Sequence, residues 1–409
     1  MNNNKARKLS KKAIIMIVTS VVTVVALAIT GTLLHIFIPI KIDVDIWAIQ
    51  RVGSRIVVQA AEGEQPTSIY IPDDEGQISS TPLKILSFSD THLATHSKKN
   101  KFTMDFLIKN IQIEKPDLVV IVGDVITGRT NRVRIIQLCE VFEKLGVYWI
   151  GVLGNHEGDN MHSVSRKDFV DIYASYPHCL IEKDTKTTAN GEKVWGYGNT
   201  QINVLTTGGA VSQSLFFLDS GNEISKEDAK KYNVKKGSAD YVKPSQIAWY
   251  KERAAMLDEG VKSMMFLHIP FPEYKDAYEA APKKADGTLN VGAEAADGTV
   301  VSFGEKKEGI VSPKYNSGLF DAILKIGSTQ AVVVGHDHVN NFRIRYKGVW
   351  LCYNRGSGYD SYNSVTKKVS DKLNQGASIY TIKADGEIEF GDIINGERFD
   401  DSQAYKLYK

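Results

Sequence analysis

Leu118-Val119-Val120-Ile121-Val122-Gly123-Asp124 decides how this chain is read: five uninterrupted apolar residues end on Gly-Asp. A short apolar run bounded by a turn signal reads as a buried strand. The aspartate after it then stands at the carboxyl edge of a sheet, where α/β proteins build their sites. Taken alone, a Gly-Asp pair in that place is usually a turn or a helix cap.

Working outward from it, the same arrangement recurs four times. Ser89-Asp90-Thr91-His92 follows the apolar residues 85–88, and Gly154-Asn155-His156-Glu157 follows residues 147–152. His268 follows residues 264–267, and Gly335-His336-Asp337-His338 follows residues 331–334. Five of the nine histidines fall in these clusters, far more than turn chemistry needs. The donors on offer are imidazole nitrogen, carboxylate and amide oxygen without thiolate. That set suits Mn, Fe, Zn or Co rather than copper(I) or an iron–sulfur cluster.

Between the clusters, apolar strands alternate with helices expected near residues 103–113, 132–145 and 244–257, the pattern of a sheet layered with helices. Further strands are expected at 201–205, 215–218, 342–346, 350–353, 378–382 and 388–390. Residues 41–82 read as a stalk leading into a domain that spans 83–409. Residues 159–200 and 273–310 read as surface loops without a decodable motif, 273–310 being a long insertion that could edge a substrate site.

The chain of 409 residues is 43% hydrophobic and 24% charged, ordinary values for a protein that folds in water. Its net charge of +2 includes Lys5, Arg7, Lys8, Lys11 and Lys12, and the remainder is slightly acidic. No basic face for nucleic acid is implied. Residues 13–40 carry no Asp, Glu, Lys or Arg, enough for a helix crossing a hydrocarbon layer that needs about 20 residues. With the basic tail 1–12 held in the cytoplasm, everything from Lys41 onward is expected outside it. A cleaved signal peptide ending near Ala26-Leu27-Ala28 is the alternative. Cys139, Cys179 and Cys352 lack metal-binding spacing, and buried apolar thiols are the expected reading, with one bridge left open.

In order and type the five clusters resemble the blocks of the calcineurin-like metallophosphoesterases: Asp-x-His, Gly-Asp, Gly-Asn-His-Asp/Glu, His and Gly-His-x-His. Residues 266–270, 335–340 and the later Arg355-Gly356-Ser357-Gly358-Tyr359 look like the dosage-dependent cell-cycle-regulator type of phosphatase, related to purple acid phosphatases. The resemblance implies a four-layer αββα sandwich of two mixed sheets flanked by helices. It implies two metal ions, Mn, Fe or Zn, one held by Asp90, His92, Asp124 and His338 and the other by Asn155, His268 and His336, with Asp124 shared. A bridging hydroxide would be the nucleophile attacking a phosphate ester. His156 would be the general acid, with Glu157 orienting it. Thr127 stands where the purple enzymes carry tyrosine, so no tyrosinate chromophore is expected. His96, His162 and His178 are expected to be solvated. Two alternatives to a general phosphatase stand beside this one: a nucleotidase or phosphodiesterase of the same superfamily, and a non-catalytic metal-binding protein of the cell envelope.

Overall fold

The computed structural model describes residues 45–398 apart from 95–96, 129–130, 159–162, 184 and 361–374, together with 11–12, 19–20 and 23. The expected span at 13–40 and the histidines at 96 and 162 lie outside the described residues, in whole or nearly so. Among the described residues, no helix is long and apolar enough to cross a membrane.

The described residues from 45 onward form one compact unit built on two mixed sheets. The smaller has five strands in the order Ile388–Ile394, Gly376–Ile382, Leu83–Phe88, Leu118–Val122 and Tyr148–Val152, the last three parallel. The larger has nine, in the order Val57–Gln59, Thr67–Tyr70, Thr200–Leu205, Val211–Phe217, Lys262–Phe266, Thr329–Val334, Val349–Tyr353, Arg343–Tyr346 and Val300–Phe303. Four neighbouring strands of the larger sheet, from Val211–Phe217 to Val349–Tyr353, are parallel.

Alternation along each strand splits the apolar residues between two cores. Leu215, Phe217, Met264, Phe266, Ala331 and Val333 join Ile85, Val120 and Tyr380 of the smaller sheet in one buried cluster. Phe217 stacks on Phe266, which meets Tyr380 edge-on across the sheets. The alternate residues Phe216, Met265, Val332 and Val334 face the helices Pro244–Ala255 and Leu319–Ile326 in a second cluster. Helices Asn100–Glu114 and Arg132–Leu145 bury Leu107, Ile111, Leu138 and Phe142 with the first cluster. Strand Leu118–Val122 and residues 264–266 of the strand Lys262–Phe266 are therefore buried on both faces, which is why they read as unbroken apolar runs.

Three short strands of the larger sheet lie where the sequence predicts none. Val57–Gln59 and Thr67–Tyr70, inside the segment read as a stalk, form one edge of the larger sheet. Val300–Phe303, inside the supposed insertion, pairs with Arg343–Tyr346 to form the other edge, and helix Glu273–Ala280 precedes it. Edge strands this short carry too few apolar residues to announce themselves, and only pairing makes them strands.

Candidate metal centre

Every candidate site residue lies in a loop at the carboxyl end of a parallel strand, and backbone bonds fix the loops against one another. Asp90 N donates to Gly123 O (3.1 Å), His92 N to Asp124 O (3.0 Å) and Leu93 N to Val125 O (2.8 Å). The short parallel ladder of Leu93–Ala94 with Ile126–Thr127 continues this seam. Asp90, His92, Asp124 and His336 all have positive φ, at 52°, 43°, 49° and 77°. Such a conformation costs a non-glycine residue on the order of 1–3 kcal/mol, and its recurrence at four site residues marks a backbone bent to aim side chains. Gly154 must be glycine, because a Cβ there would collide with the Asp124 amide and carboxylate.

The block 355–359 backs the first of these loops. Ser357 N donates to Ser89 O (2.7 Å), Gly358 N donates to Asp90 O (3.1 Å), and a Cβ on Gly358 would run into Thr91 O. On the opposite side, the segment after Val300–Phe303 is laced to residues that follow His336. Glu305 N donates to Asn341 Oδ1 (2.8 Å), Lys307 N to Asn340 Oδ1 (2.9 Å) and Val311 N to Asp337 Oδ2 (3.1 Å).

The side chains converge as two groups that share Asp124. Asp90, His92, Asp124 and His338 form one, and Asp124, His268 and His336 the other, each with donor atoms within 4.8 Å of one another. Asp124 Oδ2 lies 3.5 Å from His92 Nε2 and 3.2 Å from His268 Nε2. Asn155 Oδ1 completes the second group, 3.2 Å from His268 Nε2. In the first group, His338 Nε2 is 3.3 Å from Asp90 Oδ1 and 3.1 Å from His92 Nε2. The remaining carboxylate oxygens are held by the backbone: Asp90 Oδ2 accepts from His336 N (3.1 Å) and Asp124 Oδ1 from His156 N (2.9 Å).

Electrostatics follow from burial and these neighbours. Burial pushes His338 down to about 3 and His336 to about 4, which favours the neutral imidazole that a cation needs as a ligand. Burial acts the same way on His268, but Asp124 and Asp90 outweigh it and raise that imidazole to about 10. Burial would raise Asp90, yet His338 and His92 hold it down to about 2, and Asp124 likewise lies well below the usual carboxylate range because His268 and His92 face it.

These groups fit a pair of cations. His336 Nε2 is buried with no hydrogen-bond partner, a costly state for a polar atom that a bound ion would relieve. Two carboxylates and four imidazoles packed together have no hydrogen-bond arrangement that satisfies every lone pair, whereas positive ions between them do.

His156 differs from the others. Its side chain is 42% exposed, its Nε2 stands 3.9 Å from Asp124 Oδ2, and its ring meets His92 edge-on. Glu157, expected to orient it, is engaged with the backbone. The Glu157 carboxylate is fully buried and accepts from three backbone amides, Gly154 N (2.5 Å), Val125 N (2.5 Å) and Asp124 N (3.1 Å), so it binds one ligand loop to the next. The expected position of His178 is also corrected: it is half-buried, pairs through Nδ1 with Glu143 Oε2 at 2.6 Å and packs on Tyr148. Thr127 sits in the short ladder beside Ala94. Cys139 and Cys352 are buried and Cys179 half-buried, all as free thiols.

One residue near the site gave no signal as a motif. Arg166, at the start of helix Arg166–Tyr173, reaches back to the Gly154–Glu157 loop. Its only sequence cue is Ser165 before it, whose Oγ accepts from Asp168 N as a helix cap.

Among known proteins, the chain is 26% identical over 277 residues to "Probable inactive purple acid phosphatase 28" of Arabidopsis thaliana, a match covering 64% of this chain and 63% of the relative. It is 28% identical over 335 residues to "Phosphatase DCR2" of Saccharomyces cerevisiae, covering 75% of this chain and 51% of that protein. The chain thus spans less than two thirds of the length of either relative. A dimetal phosphatase from Danio rerio aligns in structure over 77% of this chain and 99% of its own, with 14% identity and a TM-score of 0.45. The family described as calcineurin-like phosphoesterase matches residues 83–340, a stretch that contains every residue of both donor groups. The chain belongs to the calcineurin-like phosphoesterase family, related to the purple acid phosphatases.

Proposed function

We propose that this chain hydrolyses phosphate esters at a two-ion centre, with Asp90, His92, Asp124 and His338 holding one cation and Asp124, Asn155, His268 and His336 the other. The observation that carries the reading is the shared carboxylate, whose Oδ2 faces imidazoles of both groups. When bound, two such cations supply Lewis acidity toward phosphoryl oxygens and lower the pKa of water. The protein's own part is alignment. Asp124 is kept from rotating by the bond from His156 N to its Oδ1. His156, the half-open imidazole at the edge of the buried cluster, holds a proton for the departing oxygen.

The full chain, loaded with Mn, Fe or Zn in turn, is tested on an aryl phosphate, an alkyl phosphomonoester and a phosphodiester while bound metal is counted. Turnover with two ions per chain is the expected result. One ion or none under saturating supply would sink the two-ion reading. The diester arm also decides between phosphatase and phosphodiesterase, because the ligand set treats both esters alike.

A second reading, a metal-holding protein without turnover, is favoured by the name of the Arabidopsis relative, a probable inactive phosphatase. Two ions bound with no hydrolysis of any ester would select it. The reading as a phosphatase extends to location: residues 13–40 anchor the chain in a membrane, and the catalytic part lies outside the cytoplasm. Protease added to intact cells should remove that part; cleavage only after lysis would reverse the orientation.

A further inference from the structure

The second donor group has a construction problem. Asn155 comes from the loop after Tyr148–Val152 in the smaller sheet, while His268 follows Lys262–Phe266 in the larger one. Their donor atoms meet at 3.2 Å, yet among the described residues no strand ladder joins the two sheets. Something must fix the distance between these loops.

Arg166 spans the first loop from end to end. One guanidinium nitrogen, Nη1, donates to Gly154 O at 2.5 Å and to Glu157 O at 3.1 Å, bracketing Asn155 and His156. The other, Nη2, pairs with Asp219, which follows strand Val211–Phe217 of the larger sheet. Asp219 is buried and Arg166 partly so, with side-chain exposure of 0% and 14%. Asp219 is itself held, because its carboxylate accepts from Tyr197 N (3.0 Å) and Gly221 N (2.9 Å) and its amide donates to Asn199 Oδ1 (3.1 Å). The next residue, Ser220, accepts from Ile269 N at 3.0 Å, one residue beyond His268. A continuous polar path thus runs from the Asn155 loop through Arg166, Asp219 and Ser220 to the His268 loop.

We propose that Arg166, working with Asp219, is a positioning residue that clamps the Asn155–His156 loop to the His268 loop and so sets the second ion position and the aim of His156. The inference rests on the two-ion reading and adds a residue to it. Arginine suits the task because its planar fork reaches two carbonyls and a carboxylate at once, which the single ammonium of lysine cannot reproduce. Groups that orient ligands in this way typically alter metal affinity by about 10- to 100-fold when removed.

The test titrates the full chain with Mn²⁺ and compares R166Q, R166K and D219N with wild type and with N155A. Expected for R166Q and D219N is one ion weakened by about 10- to 100-fold while the other binds as before, with kcat lowered and KM little changed. The loss in kcat should be greater on an alkyl phosphate than on an aryl phosphate, because the proton donor is displaced as well. R166K keeps the charge and should share the defect in weaker form. It decides the matter if R166Q does not fold. The R166Q/D219N double variant should be no worse than either single one, since both break the same clamp. Equal weakening of both ions together with a lowered Tm would reduce Arg166 to a structural residue and overturn the proposal. Wild-type binding and kcat in R166K would do so too. If N155A still binds two ions tightly, the two-ion assignment fails instead. If N155A loses one ion while R166Q and D219N lose none, the clamp alone is wrong.

Discussion

The two donor groups are built by different means. Asp90, His92 and Asp124 come from neighbouring parallel strands of one sheet, and three backbone bonds between their loops set their spacing before any side chain contributes. Together with His338 they are buried. The second group draws Asn155 from one sheet and His268 and His336 from the other, and Asn155 and His336 are only half-buried. Backbone bonds between adjacent loops are short and directional and so preorganise three of the four members of the first group, His338 alone coming from the larger sheet. A junction between sheets depends on a few side chains, so the second group should be the one that a single substitution away from the ligands can loosen.

The largest effect is expected where the groups overlap. Asp124→Asn removes the charge common to both, so both ions should be lost and hydrolysis should fall to background, read by metal analysis beside turnover. Retention of one tightly bound ion would mean that the groups are independent and do not share Asp124. Next in size is His156→Ala, which should cost on the order of 10² to 10⁴ in rate on alkyl esters, less on activated aryl esters, and no metal. An equal loss on both ester classes would make His156 a residue that positions substrate.

A smaller and more discriminating effect separates the halves. His92→Ala should weaken one ion and His268→Ala the other, so isothermal titration of the two variants should leave complementary single sites. Loss of both ions in either variant would show that the centre loads as one unit. The smallest effect lies outside both groups. Arg55 pairs with the fully buried Asp117 through Nε and Nη2, each at 2.7 Å, and its own side chain is 54% exposed. Discounted for that exposure, Arg55→Ala should cost about 1–2 kcal/mol in denaturant unfolding with kcat and metal content unchanged. A fall in metal content would extend the metal-supporting framework to the far end of the sheet.

Legibility in the sequence followed the same division. Asp90, His92, Asp124, Asn155, His268, His336 and His338 are legible because each lies in a short cluster that follows an apolar run, and the structure brings all seven together. Arg166 and Asp219 are not, because an arginine at a helix start and an aspartate after a strand are individually ordinary. Only their meeting, 53 residues apart in the chain, gives them a part in the site. Glu157 was visible as part of its block, but its partners were not: a carboxylate next to a histidine in sequence need not face it, and this one turns inward to three amides. The partner of His178 is not legible in the sequence, because Glu143 lies 35 residues away.

By itself, then, the sequence determined the order of strands and ligand loops and the chemistry of their donors, because hydrophobic period and residue type act locally. The tertiary structure decided which edge strands complete the larger sheet, which of Asp124's oxygens faces both groups, and what holds Asn155 against His268. Those outcomes depend on pairings between distant segments, whose energies appear only once the chain has closed on itself.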